Sequence, residues 1–339
     1  MSTKPLVSAL LALSCLAPRA HAQTATAQPS SAGPAVERLL ILSKNDRVLS
    51  IVDPATLRIV GRVPAGPDPH EVVASPDGTR AYISNYGGGA YNTLTVVDLV
   101  NQKSLGTVDL GALRGPHGLH FAGGKVWFTA EPAKAVGSYD PATKTIDGVI
   151  GTGQNGTHMI YAFPDLSRLV TTNVGSGSVT FIERTAGPRP DWNAITVPAG
   201  GRVEGFDVSP DGKQVWAANA QDGTITIIDV ASKNVTPFAA NVRGANRLKF
   251  TPDGNLVQVS TLGGPDLTII RASDRSEVKR IPVGRGAAGI QIQPDGARAY
   301  VACSPDDNVA VIDLKSFTIV GRIDAGKNPD GLAWSVTRR

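Results

Sequence analysis

The 339-residue sequence predicts an all-β protein whose four-stranded units, seven in number, close into a ring. Three observations predict it. A turn, Ser75-Pro76-Asp77-Gly78, returns as Ser209-Pro210-Asp211-Gly212, Thr251-Pro252-Asp253-Gly254 and Gln293-Pro294-Asp295-Gly296, with a weaker form at Pro164-Asp165, at a period of roughly 40 residues. The segments between the turns alternate or run apolar over short stretches and show no helical period from Glu37 onward. The leftover segments at the two ends of the chain are complementary parts of one further unit.

Each turn is a tight reversal. Proline presets φ at its second position, Ser or Thr can bond the backbone at the first, and glycine closes it. The flanking segments, HEVVAS and RAYISN in the first copy, therefore read as a hairpin. Upstream, Lys4, the apolar run Leu6 to Leu16 and Ala20-His21-Ala22 form an export signal over residues 1–22 with cleavage before Gln23. Residues 23–36, small, polar and proline-bearing, read as a flexible leader, and 37–339 as the ring. Units at 69–110, 116–151, 156–200, 202–242, 244–284 and 286–326 each supply four strands. The C-terminal PDGLAWS matches a first strand only, and residues 37–66 match second, third and fourth strands. Pairing the two ends makes a seventh blade and removes the exposed edges of an open array, which defines a seven-bladed β-propeller.

Removing residues 1–22 takes away Lys4 and Arg19 and no acid, so the formal net charge drops from +4 to +2. That balance excludes the clustered basic character that nucleic-acid binding uses. No segment approaches the length of apolar chain that spans a bilayer, so a periplasmic or secreted protein without a membrane span is expected, as a monomer. One cysteine, Cys303, remains after cleavage, so stability comes from the core and not from an internal disulfide.

The pattern PHEVVASPDGTRAYISN followed by NTLTVVDL resembles the YVTN-type β-propeller repeat, with Arg80 to Asn85 on its signature segment. The resemblance covers roughly residues 37 to 337 and implies a seven-bladed, exported, lactonase-like or YncE-like propeller. Two blades depart from the pattern. Ala122-Gly123-Gly124 replaces the turn in blade 2, and Val257-Gln258-Val259-Ser260 occupies the signature position in blade 5.

The polarity of such a ring puts the loops into first strands, and those joining second to third strands, around one mouth of the central channel. Counted seven residues back from the turn Asp, with His117 placed by matching Pro116-His117 to Pro69-His70 where blade 2 lacks the turn, the column at the start of each innermost strand reads His70, His117, His158, Glu204, Asn246, Ala288 and Asp330. Three of five histidines fall in this column on consecutive blades. Three imidazoles and a carboxylate can hold a divalent transition metal such as zinc, copper or manganese, with a position left for water. Without metal, the same four residues, His70, His117, His158 and Glu204, can act as acid, base and carbonyl binder in a hydrolase or lyase on a small polar metabolite. Glu71, Arg247 and Asp330 flank them. The opposing reading is a non-catalytic interaction scaffold in which these histidines only bond backbone or channel water. His120 is expected between blades, Tyr86 to Tyr91 as a lid or a plain loop, Cys303 as a buried thiol, and Trp192 in a far-face loop. Glu131, Asp222, Asp306 and Asp307 are loop acids of the mouth face with a calcium alternative.

Overall fold

The structure, a computed structural model, describes residues 1–2, 35–188 and 191–338. The expected signal peptide, apart from Met1 and Ser2, and the leader up to residue 34 lie outside these. The described residues form seven antiparallel sheets of four strands, six of them built from strands consecutive in the chain. Their only helical elements are two single turns of 3-10 helix, Gly87–Gly89 and Ser304–Asp306.

The seventh sheet is the composite one. Its innermost strand is Pro329–Arg338, followed outward by Ala35–Ser43, Val48–Asp53 and Arg58–Pro64. The closing pair runs from Ala35 opposite Arg338 to Ser43 opposite Pro329. Both strands are longer than the sequence suggests. Thr337 and Arg338 give Val36 and Ala35 backbone partners, so the strand starts two residues inside the segment expected as leader.

Second strands run apolar because both of their faces are covered by neighbouring blades. Leu39 and Ile41 pack against Tyr300, Val309 and Val311 of blade 6, while Leu40 and Leu42 pack against Val72, Ala81 and Ile83 of blade 1. Each such buried aliphatic side chain is worth roughly 1.5–3 kcal/mol relative to its exposed state. Outermost strands instead alternate, as Thr145–Gly151 does, since one face meets solvent. Trp127 and Trp216 are buried between blades. Trp192 is not in a loop. It opens the strand Trp192–Pro198 and sets its ring edge-on to Trp127, an apolar contact that draws it out of the far-face loop.

The innermost strands break register where the site lies. In blades 1 to 6 the ladder slips between the first and fourth residues, for example between Pro69 and Val72 and between Thr157 and Ile160. The second and third residues thus leave the ladder, and their backbone groups need other partners. In blades 2, 3 and 5 a hydroxyl on the second strand supplies them. Thr129 Oγ1 accepts from the Gly118 N–H at 2.9 Å and donates to the His158 carbonyl of the next blade at 2.6 Å. Thr172 does the same between Met159 and Glu204, and Ser260 between Arg247 and Ala288. Blade 5, which departs from the signature, therefore keeps the one atom that matters at Ser260.

The third residue of an innermost strand is glycine in four blades because neighbouring strands touch there. A Cβ on Gly118 would sit 2.6 Å from the His158 carbonyl oxygen, and one on Gly289 2.1 Å from that of Asp330.

Two outcomes are expected. Truncation after Asn328 removes the closing strand, and differential scanning calorimetry should then show a broadened, lowered transition; a wild-type cooperative melt would contradict ring closure. Thr129→Val leaves a buried N–H and carbonyl without their hydroxyl partner and should cost about 1–3 kcal/mol by denaturant unfolding.

Candidate functional site at the channel mouth

All seven residues of the sequence column occupy the second position of an innermost strand, and all seven line one cavity of about 330 Å³ on the ring axis. That size lies in the range of small-molecule sites. The residue after each second strand forms a second ring around it, and three members reach the first. Lys44 Nζ pairs with Asp330 at 2.9 Å. Tyr86 sets its ring edge-on to His117 at 5.0 Å. Glu131 hydrogen-bonds His158 of the next blade.

The histidines stack along the ring. His70 and His117 have ring centroids 4.7 Å apart, and His117 and His158 3.8 Å apart at an interplanar angle of 29°. A line of hydrogen bonds crosses this stack. The Tyr86 hydroxyl donates to Glu131 Oε2, Glu131 Oε1 meets His158 Nδ1, and His158 Nε2 lies 3.2 Å from Glu204 Oε2. Arg202 closes it on Glu204 Oε1 at 2.9 Å.

The pKa values of these adjacent imidazoles are pushed in opposite directions. Burial opposes a charge on His158, but the bonds to Glu131 and Glu204 outweigh it and raise its pKa above the usual 6.5. Burial likewise opposes ionisation of Glu204, yet the His158 bond and then Arg202 hold it down at about 2. His117, 1% exposed, is driven well below 6.5 by burial and then by its neighbours His158 and His70. Its Nδ1 is buried without a hydrogen-bond partner. Burial, reinforced by Glu131, raises the Tyr86 phenol. His70 faces Asp330 at 3.5 Å and Asp68 at 3.7 Å.

Every cation lining the cavity is matched. Besides Lys44 and Arg202, Arg247 binds Glu71, whose blade lies three places away, as far across as a ring of seven allows. Burial disfavours the Arg247 charge, and Glu71 and Asp330 more than compensate. The flanking roles expected for Glu71, Arg247 and Asp330 therefore hold in geometry. Among the described residues, no group of three or more His, Cys, Asp or Glu side chains is arranged to hold a metal ion. Both His158 nitrogens are engaged by carboxylates.

The remaining candidates sort by contact. Glu131 alone of the four loop acids reaches the column. Asp306 binds Arg285, Asp307 binds Lys327, and Asp222 accepts from the Gly201 N–H. The Tyr86 to Tyr91 loop is tied down by the Gly87 N–H to Asp68 at 2.8 Å and the Gly115 N–H to the Tyr91 carbonyl at 2.6 Å. Cys303 is fully buried, which raises its thiol pKa. His120 packs edge-on against Tyr161 at 4.6 Å, away from the column. Sequence reasoning passed over Lys44, gave Tyr86 only as part of a lid or plain loop, and passed over Arg202. The signal for the first two was the residue following each second strand, a column as regular as the first.

Fold and site define a channel-mouth pocket on a seven-bladed propeller. Residues 4–138 match the family model of YNCE-like beta-propellers. Among solved structures, a functionally unknown protein from Desulfotomaculum acetoxidans superposes with a TM-score of 0.74 at 14% identity, covering 88% of this chain and 98% of that one. A candidate 6-phosphogluconolactonase from Bacteroides uniformis superposes at 0.72 and 17%, covering 88% and 99%. Kuenenia stuttgartiensis hydrazine synthase superposes at 0.70 and 21%, covering 81% and 92%. At these identities the likeness is one of fold. No curated protein matches the sequence.

The coupling of His158 to Glu204 can be read directly. In an NMR titration His158 should titrate above 6.5, and Glu204→Gln should lower its pKa. The raised pKa contributes stability that is full below pH 6.5 and is lost as pH rises through the folded value. Glu204→Gln should therefore flatten the fall in melting temperature on that alkaline side; an unchanged His158 pKa would refute the coupling.

Proposed function

We propose that the mouth cavity binds a small, uncharged, hydroxyl-rich metabolite and hydrolyses it as a lactonase-like enzyme outside the cytoplasm. The observation that supports this is the stacked pair His117 and His158, whose pKa values are pushed down and up respectively inside one ligand-sized cavity. Two titratable groups whose surroundings push their pKa values apart are the usual basis for assigning a base and an acid. Neutral His117 takes the proton of an attacking water. His158, protonated, gives its proton to the ring oxygen that leaves as the lactone C–O bond breaks, and the product is the hydroxy acid. Glu204 and Glu131 hold His158 in place, and His70, set by Asp330 and Asp68, closes the side of the pocket.

Charge argues for the substrate class. Because Lys44, Arg202 and Arg247 are each matched by a carboxylate, a phosphorylated ligand would have to break a pair, whereas hydroxyl groups bond to the paired ions without doing so. The fold shared with a candidate 6-phosphogluconolactonase supports the reaction type and not the phosphate. A divalent metal, zinc, copper or manganese, is the rival occupant, since imidazole and carboxylate are its donors; the carboxylate bonds on both His158 nitrogens favour the metal-free reading. The export signal at residues 1–22 supports periplasmic action.

The test is a panel of unphosphorylated sugar lactones assayed with protein whose metal content has been measured. Hydrolysis is expected, with kcat/KM falling about 10²–10⁴-fold in His117→Gln and His158→Gln, the usual worth of a proton-transfer group. Activity that tracks bound zinc, copper or manganese would select the metal reading. No turnover and no thermal shift with any lactone would leave the interaction scaffold.

A further inference from the structure

The Glu71–Arg247 pair spans the channel and divides it. Above it lies the mouth cavity; below it lies a second axial chamber of about 320 Å³, open toward the face that carries the Ser-Pro-Asp-Gly turns. Arg247 lines both. The pinch is built into the chain, since glycines 118, 205, 289 and 331 let the innermost strands approach at the level of this pair.

The lower chamber has its own chemistry. Fifth residues of the innermost strands point His120, Tyr161, Asp207, Lys249 and Gln291 at it, over walls that include Met159, Phe206 and Leu332. Asp207 shares its carboxylate, Oδ2 accepting from the Phe250 N–H at 2.9 Å and Oδ1 accepting from Lys249 Nζ at 3.4 Å. The Lys249 bond is the longer of the two, and 43% of the Lys249 side chain is exposed, so a ligand can reach its ammonium group. His120 stands against the Tyr161 ring, and burial together with the Lys249 charge depresses its pKa to about 4. It is thus a neutral imidazole in a positive field. Glu71 is bound to Arg247 and Gln291 donates to the Ile292 carbonyl, so neither competes for an anion beside Lys249.

We propose that this chamber is a second ligand site, taking a small monocarboxylate with an apolar body. The carboxylate sits against Lys249 with His120 and the Tyr161 hydroxyl as neutral donors, and the apolar part covers Phe206, Leu332 and Met159. A charge-assisted bond to Lys249 supplies selectivity over an uncharged analogue of the same shape. The inference is independent of the chemistry at the mouth, because the Glu71–Arg247 pair separates the two.

Calorimetric titration of the full chain with benzoate, beside benzamide as the uncharged match, tests it, with Trp334 fluorescence as a second readout because Trp334 lines the chamber. Benzoate should bind more tightly than benzamide. Lys249→Met should weaken benzoate by at least about tenfold, the worth of one charged hydrogen bond, while leaving benzamide unchanged. Circular dichroism melting establishes that the variant folds, and Lys249→Arg should restore binding. The proposal falls if benzoate does not bind at millimolar concentration. It falls equally if benzamide binds as well as benzoate, or if His158→Gln abolishes benzoate binding while Lys249→Met does not, which would move the ligand to the mouth.

Discussion

At three blade junctions a single hydroxyl group carries geometry on which the channel depends. Where the innermost strand slips register, Thr129, Thr172 and Ser260 each bridge the freed N–H of their own blade to a carbonyl of the next. The bridged carbonyl belongs to the residue whose side chain faces the mouth, so the same bond that joins two blades orients His158, Glu204 and Ala288. Blade packing supplies most of the stability, but it is nondirectional. These bonds are what fix the angle of the side chains at the axis.

Crowding then does the electrostatic work. Three imidazoles are confined to one arc, and the two glutamates favour charge on His158. Glu131 and Glu204 at its two nitrogens favour the charged form of His158, while burial between two rings favours the neutral form of His117. Neither state follows from a histidine alone. It follows from which blade each carboxylate comes from.

The blade count, the composite seventh blade and the mouth column were legible because each depends on repeat phase and on period-two alternation, which survive in a single sequence. Ala35 and Val36 were misjudged as leader because small residues carry no strand signal until Thr337 and Arg338 stand opposite them. Trp192 was misplaced for a related reason: its contact is with Trp127 of another blade. The same limit applied at the site. His70, His117, His158 and Glu204 could be placed on one ring, but that Glu131 reaches forward to the next blade, or that both His158 nitrogens meet carboxylates, depends on inter-blade twist, which no one repeat encodes.

Every strand pairing among the described residues joins neighbours in the chain except one, between Ala35–Ser43 and Pro329–Arg338. The fold is thus local nearly everywhere, and its single long-range step closes a loop of almost the whole domain. Hairpins form in microseconds, whereas joining distant segments must first overcome the entropy of the intervening chain. Blades can therefore assemble early and in any order, but the axis does not exist until the last of them has been stitched, and a chain halted before that step holds finished blades around an unformed pocket.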